Sequence, residues 1–330
     1  MRWKGQSRGM RIYGTTLLLV AAIFGTVRAG AEVRIGIIGT DTSHVTAFTK
    51  VLNDPANPDH IAGFRVVAAV KGGSMDIPSS RTRVDEYATE IRDKWGVELV
   101  PEISGLAGKV DAILLESVDG RVHLNQARQA FALHKPMFID KPLASTLQDA
   151  KEIARLAAEA KVSWFSASSL RFGELVASTR IPDTIGITVW GPGPMEEHHA
   201  LDLSWYGVHP VEMLYALMGP GCETVTRMSG GTDAAGTDVI VGRWKDGRLG
   251  TVRVIRPNSG YGAVAFGPKE IRQGRTDVAP FSYVLLLKQI VKFFETGVAP
   301  VSNAETLETI AFMDAAQRSK LAGGQPVRVR

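Results

Sequence analysis

Val33-Arg34-Ile35-Gly36-Ile37-Ile38-Gly39 is a short, mostly apolar run ending on glycine, and Thr40-Asp41-Thr42-Ser43-His44 follows it as a polar turn. Beyond the turn, VTAFTKVL carries Val45, Phe48, Val51 and Leu52 at helical spacing. Strand, tight turn and helix in this order begin a doubly wound parallel sheet. Working outward, FRVVAAV (Phe64 to Val70), VDAILLES (Val110 to Ser117) and KPMFID (Lys135 to Asp140) read as further buried strands. Amphipathic stretches at Thr82 to Trp95 and His123 to Leu133 lie between them. Leu147 to Ala160, rich in Ala, Glu, Lys and Leu, reads as a helix, and VSWFSAS after it as the last strand of the sheet. The alternation implies right-handed βαβ units.

After Phe172 the texture changes. ITVWGPGP, TDVIVGRWKDGRLGTVRVIR and YGAVAFG are strand-like, and Lys245-Asp246-Gly247-Arg248 supplies a hairpin turn. Two helices, Phe281 to Glu295 and Ala304 to Leu321, are expected to complete this mainly antiparallel half. The expected fold is α/β: a Rossmann domain over 32–168 and an α/β domain with a largely antiparallel sheet over 169–330.

The 330 residues are 45% hydrophobic and 22% charged, which excludes a disordered, collagen-like or disulfide-dense chain. The net charge of +4 sits at the front. Arg2, Lys4, Arg8, Arg11 and Arg28 precede any acidic residue, leaving 33 basic against 34 acidic residues after Ala31. A near-neutral body speaks against a nucleic-acid partner. The cationic start, the apolar run Thr15 to Val27 and the small residues Ala29 and Ala31 form the layout of a secretory signal peptide. Residues 1–31 are therefore expected to be a leader cleaved after Ala31, giving an exported protein without stable membrane insertion; a retained N-terminal anchor is the alternative. Arg8 and Arg11 are not adjacent, so the twin-arginine pattern is absent. The single cysteine, Cys222, decides nothing about redox compartment.

The turn after the first strand is where a dinucleotide's phosphates meet backbone N–H groups and a helix N-terminus. In the G-x-G-x-x-G frame only Gly39 survives, with Thr40, Asp41, Thr42, Ser43 and His44 in the other places. Thr40, Thr42 and Ser43 offer hydroxyl donors. Asp41 repels a diphosphate unless it points away. Simple helix capping by Thr42 or Ser43 explains the same residues. No acidic residue stands at the end of the second strand, where a ribose would be held; Lys71 and Ser74 there suit a 2′-phosphate, and a surface lysine beside a Gly-Gly turn is the equal alternative.

Phe138-Ile139-Asp140-Lys141-Pro142-Leu143-Ala144 resembles the Glu-Lys-Pro motif of the Gfo/Idh/MocA family, with Asp in place of Glu. The IGIIG strand, His123 with its helix, the SSLRF run, GVHPVEMLYALMG and KFFETGVAP follow in family order. The resemblance implies a nicotinamide-dependent (NAD or NADP) oxidoreductase acting on a sugar, polyol or related carbonyl compound. Lys141 then stands beside nicotinamide and substrate, Ser117 and His123 count among the cofactor-binding positions, and Arg171 among those for substrate. The resemblance also implies a homo-oligomer formed through the open face of the second sheet. An ammonium at a strand end can donate to the reacting oxygen, and this reading is preferred to a Lys-Pro pair that closes an exposed loop.

His209 matches the histidine of the family's Asp-x-x-x-His motif, where it could take the hydroxyl proton, or merely start a helix. Trp205 occupies the aspartate's place. Trp205 could stack on a sugar ring and Tyr206 offer a hydroxyl, or both could be core aromatics. Glu196-Glu197-His198-His199 is expected to be a solvated loop rather than a metal site, and no metal is expected. The absence of Zn-type spacing, a Gly-x-Ser-x-Gly elbow and a Walker loop argues against metallohydrolases, serine hydrolases and NTPases. Two other functions stay open: an exported carbohydrate-binding protein with lost catalysis, and a glycoside-cleaving enzyme using a tightly held NAD.

Overall fold

The computed structural model describes Met1 and residues 32–277 and 281–330; the expected leader and its cleavage point lie outside the described residues. Six parallel strands, β1 (Val33–Ile38), β2 (Phe64–Val70), β3 (Glu98–Val100), β4 (Ala112–Leu115), β5 (Met137–Ile139) and β6 (Trp164–Phe165), form a sheet of order β3-β2-β1-β4-β5-β6. Helices α1 (Ser43–Asn53), α2 (Pro78–Trp95), α3 (Gly120–Phe131) and α4 (Leu147–Ala160) make the crossovers. Every residue of β4 and β5 is buried, which is why both read as unbroken apolar runs. The strand order reverses beside β1, and the carboxyl ends there open the crevice in which such sheets bind ligands. The α2 helix begins at Pro78, earlier than its apolar spacing shows, because proline is tolerated in a first turn that has no N–H to satisfy.

The second sheet contains β7 (Gly186–Pro192), β8 (Cys222–Gly231), β9 (Gly236–Trp244), β10 (Leu249–Ile255), β11 (Gly262–Phe266), β12 (Ile271–Arg275) and β13 (Val327–Arg328). Its order is β12-β11-β7-β10-β9-β8-β13, and every pair is antiparallel except β7 with β10. The expected turn at Lys245–Arg248 joins β9 to β10, with Gly247 in the left-handed region at φ 89°. Helices α5 (Glu174–Thr179), α6 (Val208–Met218) and α8 (Asn303–Leu321) pack against this sheet.

The helix α7 (Val284–Thr296) departs from expectation. It packs on the parallel sheet rather than completing the antiparallel half: Leu286, Leu287, Ile290 and Phe293 share one apolar cluster with Ile35, Ile37, Val45 and Phe48. Phe293 meets Phe165 of β6 edge-on at 5.1 Å. An apolar stripe specifies burial but not against which sheet. The placement brings Tyr283, just before α7, over the start of α1. Among the described residues no helix is long and apolar enough to cross a membrane.

Candidate active site

A cavity of about 640 Å³ opens at the carboxyl ends of the parallel strands and is closed by the antiparallel half. Thr42, Ser43 and His44 from the start of α1, Arg83 from α2, and Asp140 and Lys141 from the end of β5 form one side. Trp205, Tyr206, His209 and Tyr261 form the other. The structure thus brings Lys141, His209, Trp205, Tyr206 and part of the phosphate turn into one space.

Lys141 is half-buried, and desolvation pulls its pKa below the ordinary lysine value, against the charges of Asp140 and Glu116. Its ammonium lies 6.0 Å from the centre of the Tyr206 ring. Asp140 points the other way. Its Oδ2 is 2.6 Å from His44 Nδ1, and its Oδ1 accepts the Lys141 backbone N–H at 2.7 Å. Burial works against ionising Asp140, but His44 and Lys141 outweigh it and hold the carboxyl below its usual range. Glu116, at the end of β4, takes the opposite course: burial and the Asp140 charge push its pKa well up. Glu116 Oε2 accepts from the Thr42 hydroxyl at 3.3 Å, while Oε1 is buried without a partner. His44, Glu116 and Asp140 bring three possible ligand atoms within 4.8 Å of one another. The shortest pair is already a hydrogen bond, and the Lys141 charge acts on both carboxyls.

The phosphate turn is only partly turned toward the cavity. Gly39 has φ 87°, and a Cβ there would overlap Ser117 Oγ, so the first glycine is required by close approach of the β4–α3 loop. Thr40 is fully buried: its N–H donates to Gly72 O at 2.8 Å and its hydroxyl to Val84 O at 3.0 Å, so it offers no donor to a ligand, contrary to expectation. Asp41 does point away. Its carboxylate accepts from Val118 N–H at 3.0 Å and from the Ser80 hydroxyl at 2.6 Å, and burial pushes its pKa up to about 6. Thr42 stands at the N-cap, but its side chain makes no capping bond. The Ser43 hydroxyl pairs with the Tyr283 hydroxyl at 3.0 Å, so neither residue is spent on capping.

Four other expectations are corrected. Lys71 pairs with Asp85 at 2.8 Å and Ser74 donates its hydroxyl to Asp119, so the pair expected at a 2′-phosphate is already engaged within the protein. Ser117 Oγ is sealed against Gly39, and His123 lies between Ser117 O at 2.7 Å and Leu143 O at 3.1 Å, joining two loops without lining the cavity. Arg171 is buried between Glu212 and Glu305, at 2.6 Å from each, and fastens α6 and α8 rather than a substrate. His198 is partly exposed as a solvated loop requires, but His199 is buried, bonding Ser204 Oγ at 2.8 Å and Asp119 Oδ1 at 3.0 Å.

His209 lacks a carboxylate, as Trp205 foretold. Its Nδ1 meets Ser168 Oγ at 2.7 Å, and burial, with Lys141 and His44 nearby, holds its pKa well below the usual histidine value. Edge contacts link His199, Trp205, Tyr206, His209 and Tyr261 in series, with ring centres 5.3 to 6.2 Å apart. The His44–Asp140 pair, Glu116, Arg83 and Tyr283 were not singled out as site residues. The one available signal was the histidine in the third-glycine position of the turn, where a small residue ordinarily permits close helix packing.

A family model described as "Oxidoreductase family, NAD-binding Rossmann fold" (GFO_IDH_MocA) matches residues 33–168. The match ties residues 33–168 to the Gfo/Idh/MocA family model. The cofactor of the family is NAD. No curated protein matches the chain. Among solved structures, a "probable dehydrogenase" from Thermotoga maritima is 20% identical, with TM-score 0.72, covering 90% of this chain and 98% of its own. The myo-inositol dehydrogenase of Lactobacillus casei, in complex with NAD(H) and myo-inositol, is 15% identical, with TM-score 0.70 and coverages of 91% and 97%. An oxidoreductase from Agrobacterium radiobacter in complex with NAD+, L-tartaric acid and magnesium is 16% identical, with TM-score 0.70 and coverages of 91% and 99%. At these identities the likeness is one of fold.

The residues of the cavity fit a nicotinamide dinucleotide at its phosphate and nicotinamide end. The first turn of α1 carries N–H groups without intrahelical partners, Arg83 adds a positive charge on the same side, and Lys141 stands beyond them. The adenosine ribose finds no carboxylate after β2, since Lys71-Gly72-Gly73-Ser74 stands there.

Proposed function

We propose that the chain oxidises a secondary hydroxyl of a polyol or sugar, or reduces the matching carbonyl, in the cavity between the two sheets. The observation that carries this reading is Lys141, half-buried at the end of β5 and facing an aromatic wall across a space of about 640 Å³. When bound, a nicotinamide dinucleotide supplies the hydride acceptor. Lys141 Nζ donates to the reacting oxygen and stabilises alkoxide character as the carbon–hydrogen bond breaks. Trp205 and Tyr206 offer ring faces and edges to a sugar ring, and His209 presents its second nitrogen as a hydrogen-bond partner to a neighbouring hydroxyl. The cyclic polyol in the Lactobacillus casei neighbour is the first substrate class to try.

Titration of the purified protein with NADH and NADPH by fluorescence, followed by assay on a panel of inositols, aldoses and tartrate, tests the proposal. Binding of NADH at least equal to that of NADPH is expected, because Lys71 is occupied by Asp85. Lys141→Met is expected to lower kcat by about 10²–10³-fold, the loss seen when one preorganised donor is removed. Failure of both cofactors to bind would instead favour a binding protein, the function that the missing ribose carboxylate after β2 supports.

A further inference from the structure

His44 and Asp140 are an imidazole–carboxylate pair on the Rossmann side of the cavity, built from elements 96 residues apart. We infer that His44, oriented by Asp140, is the group that takes the substrate hydroxyl proton, in place of His209. The inference rests on the oxidoreductase reading above and assigns a base within it.

Three geometric facts carry it. A carboxylate against Nδ1 makes that nitrogen the protonated one and leaves the lone pair on Nε2. His44 Nε2 has no hydrogen bond among the described residues, and His44 lines the cavity. The ring is also fixed in place. Phe48 stacks on it with centres 4.8 Å apart and planes at 20°, and Tyr283 meets it edge-on at 4.5 Å. Asp140 is fixed in turn by the backbone N–H of Lys141, so the carboxylate that orients the base and the oxygen-binding lysine come from one dipeptide at one strand end.

His209 is held by the edges of Tyr206 and Tyr261 but lacks the carboxylate. Its Nδ1 is given to a serine hydroxyl, and no carboxylate lies within ion-pair distance of it among the described residues. The charged and titratable groups around His44 are Asp140 after β5, Glu116 after β4 at 3.8 Å, Lys141, Tyr283 before α7, Arg83 from α2 and His209 from α6. Asp140, at 2.6 Å from Nδ1 against 3.8 Å for Glu116, is the carboxylate that balances an imidazolium; burial and the Asp140 charge push the Glu116 pKa up.

In the oxidation direction the substrate O–H bond breaks and its proton forms a bond to His44 Nε2. The O–H electron pair becomes the carbonyl π bond, and the carbon-bound hydrogen leaves with its two electrons to the nicotinamide. The imidazolium is paired with Asp140 and releases its proton to solvent when product leaves.

Two measurements on the full chain test the pair and its role separately. Nitrogen-15 NMR of the histidine-labelled protein, without cofactor, is expected to show a hydrogen-bonded Nδ1–H that disappears in His44→Gln and in Asp140→Asn but persists in His209→Gln; Asp140→Ser serves if Asp140→Asn does not fold. With NAD and a polyol turned over by the wild type, His44→Gln is expected to lower kcat about 100-fold and to flatten the pH profile. His209→Gln is expected to act mainly on KM, with kcat falling less than tenfold. A missing Asp140-dependent Nδ1–H, a stoichiometric metal lost on His44→Gln, or a larger kcat loss in His209→Gln than in His44→Gln overturns the inference. Absence of turnover on every polyol overturns the oxidoreductase reading instead, and the NMR result then still decides whether the pair exists.

Discussion

The two sides of the cavity are built from different materials. On the Rossmann side, His44, Arg83, Asp140 and Lys141 bring charge, each from a strand end or the first turns of a helix. On the facing side, Pro192, Pro194, Trp205, Tyr206, Pro257 and Tyr261 bring shape, from loops and strand ends of the antiparallel half. Charge placed at strand ends inherits the precision of the sheet, whereas an aromatic wall can change by loop substitution without moving the reacting centre. The difference assigns chemistry to one side and substrate choice to the other.

Breaking the support behind the aromatic wall is expected to give the largest effect. Arg171→Met leaves the Glu212 and Glu305 carboxyls buried without their cation, and loss of one partner of a buried pair costs about 3–5 kcal/mol. Urea unfolding measures it. A loss under about 1 kcal/mol would mean that the wall does not depend on this ion pair.

Asp41 probes the charged side from behind. Its pKa is about 6 in the folded protein, above the usual carboxylic acid value, so between about pH 4 and pH 6 folding takes up a proton and stability falls as pH rises. Above pH 6 the penalty is constant, on the order of 3 kcal/mol. Asp41→Asn is expected to flatten that slope in denaturant titrations at pH 4.5 and 7.5; an unchanged slope would show that the carboxylate is not held in the way described. The smallest effect falls on the aromatic wall itself. Trp205→Ala is expected to raise KM by about tenfold, near 1.4 kcal/mol, with kcat within a few-fold of wild type. A kcat loss matching that of Lys141→Met would erase the division between the two sides.

The parallel sheet was legible because its strands are buried on both faces and therefore apolar throughout, as in AILL and MFI. Strands β8 and β12 were not, because CETVTRMSGG and IRQGR carry polar and charged residues on exposed positions and read as loop. In the site, Lys141, His209, Trp205 and Tyr206 were found because each sits in a local motif. Arg171 was misread for the converse reason: its partners lie 41 and 134 residues away, and a lone arginine in sequence looks available. The pairing of His44 with Asp140 is equally nonlocal, and α7 packs on the parallel sheet because an apolar helix face names no partner.

The three-residue strand β5 pairs Met137, Phe138 and Ile139 with Ile113, Leu114 and Leu115. Beyond Ile139 the chain delivers Asp140 to α1 and Lys141 to the cavity, so the alignment of three buried apolar residues acts as an address for two polar ones. A single-residue deletion in the loop before β5 would be absorbed either by that loop, leaving the chemistry in place, or by a slip that sends aspartate where lysine belongs. The oily grip of β4 on β5 selects the first outcome, and through it the interior of the sheet proofreads the position of the reactive residues.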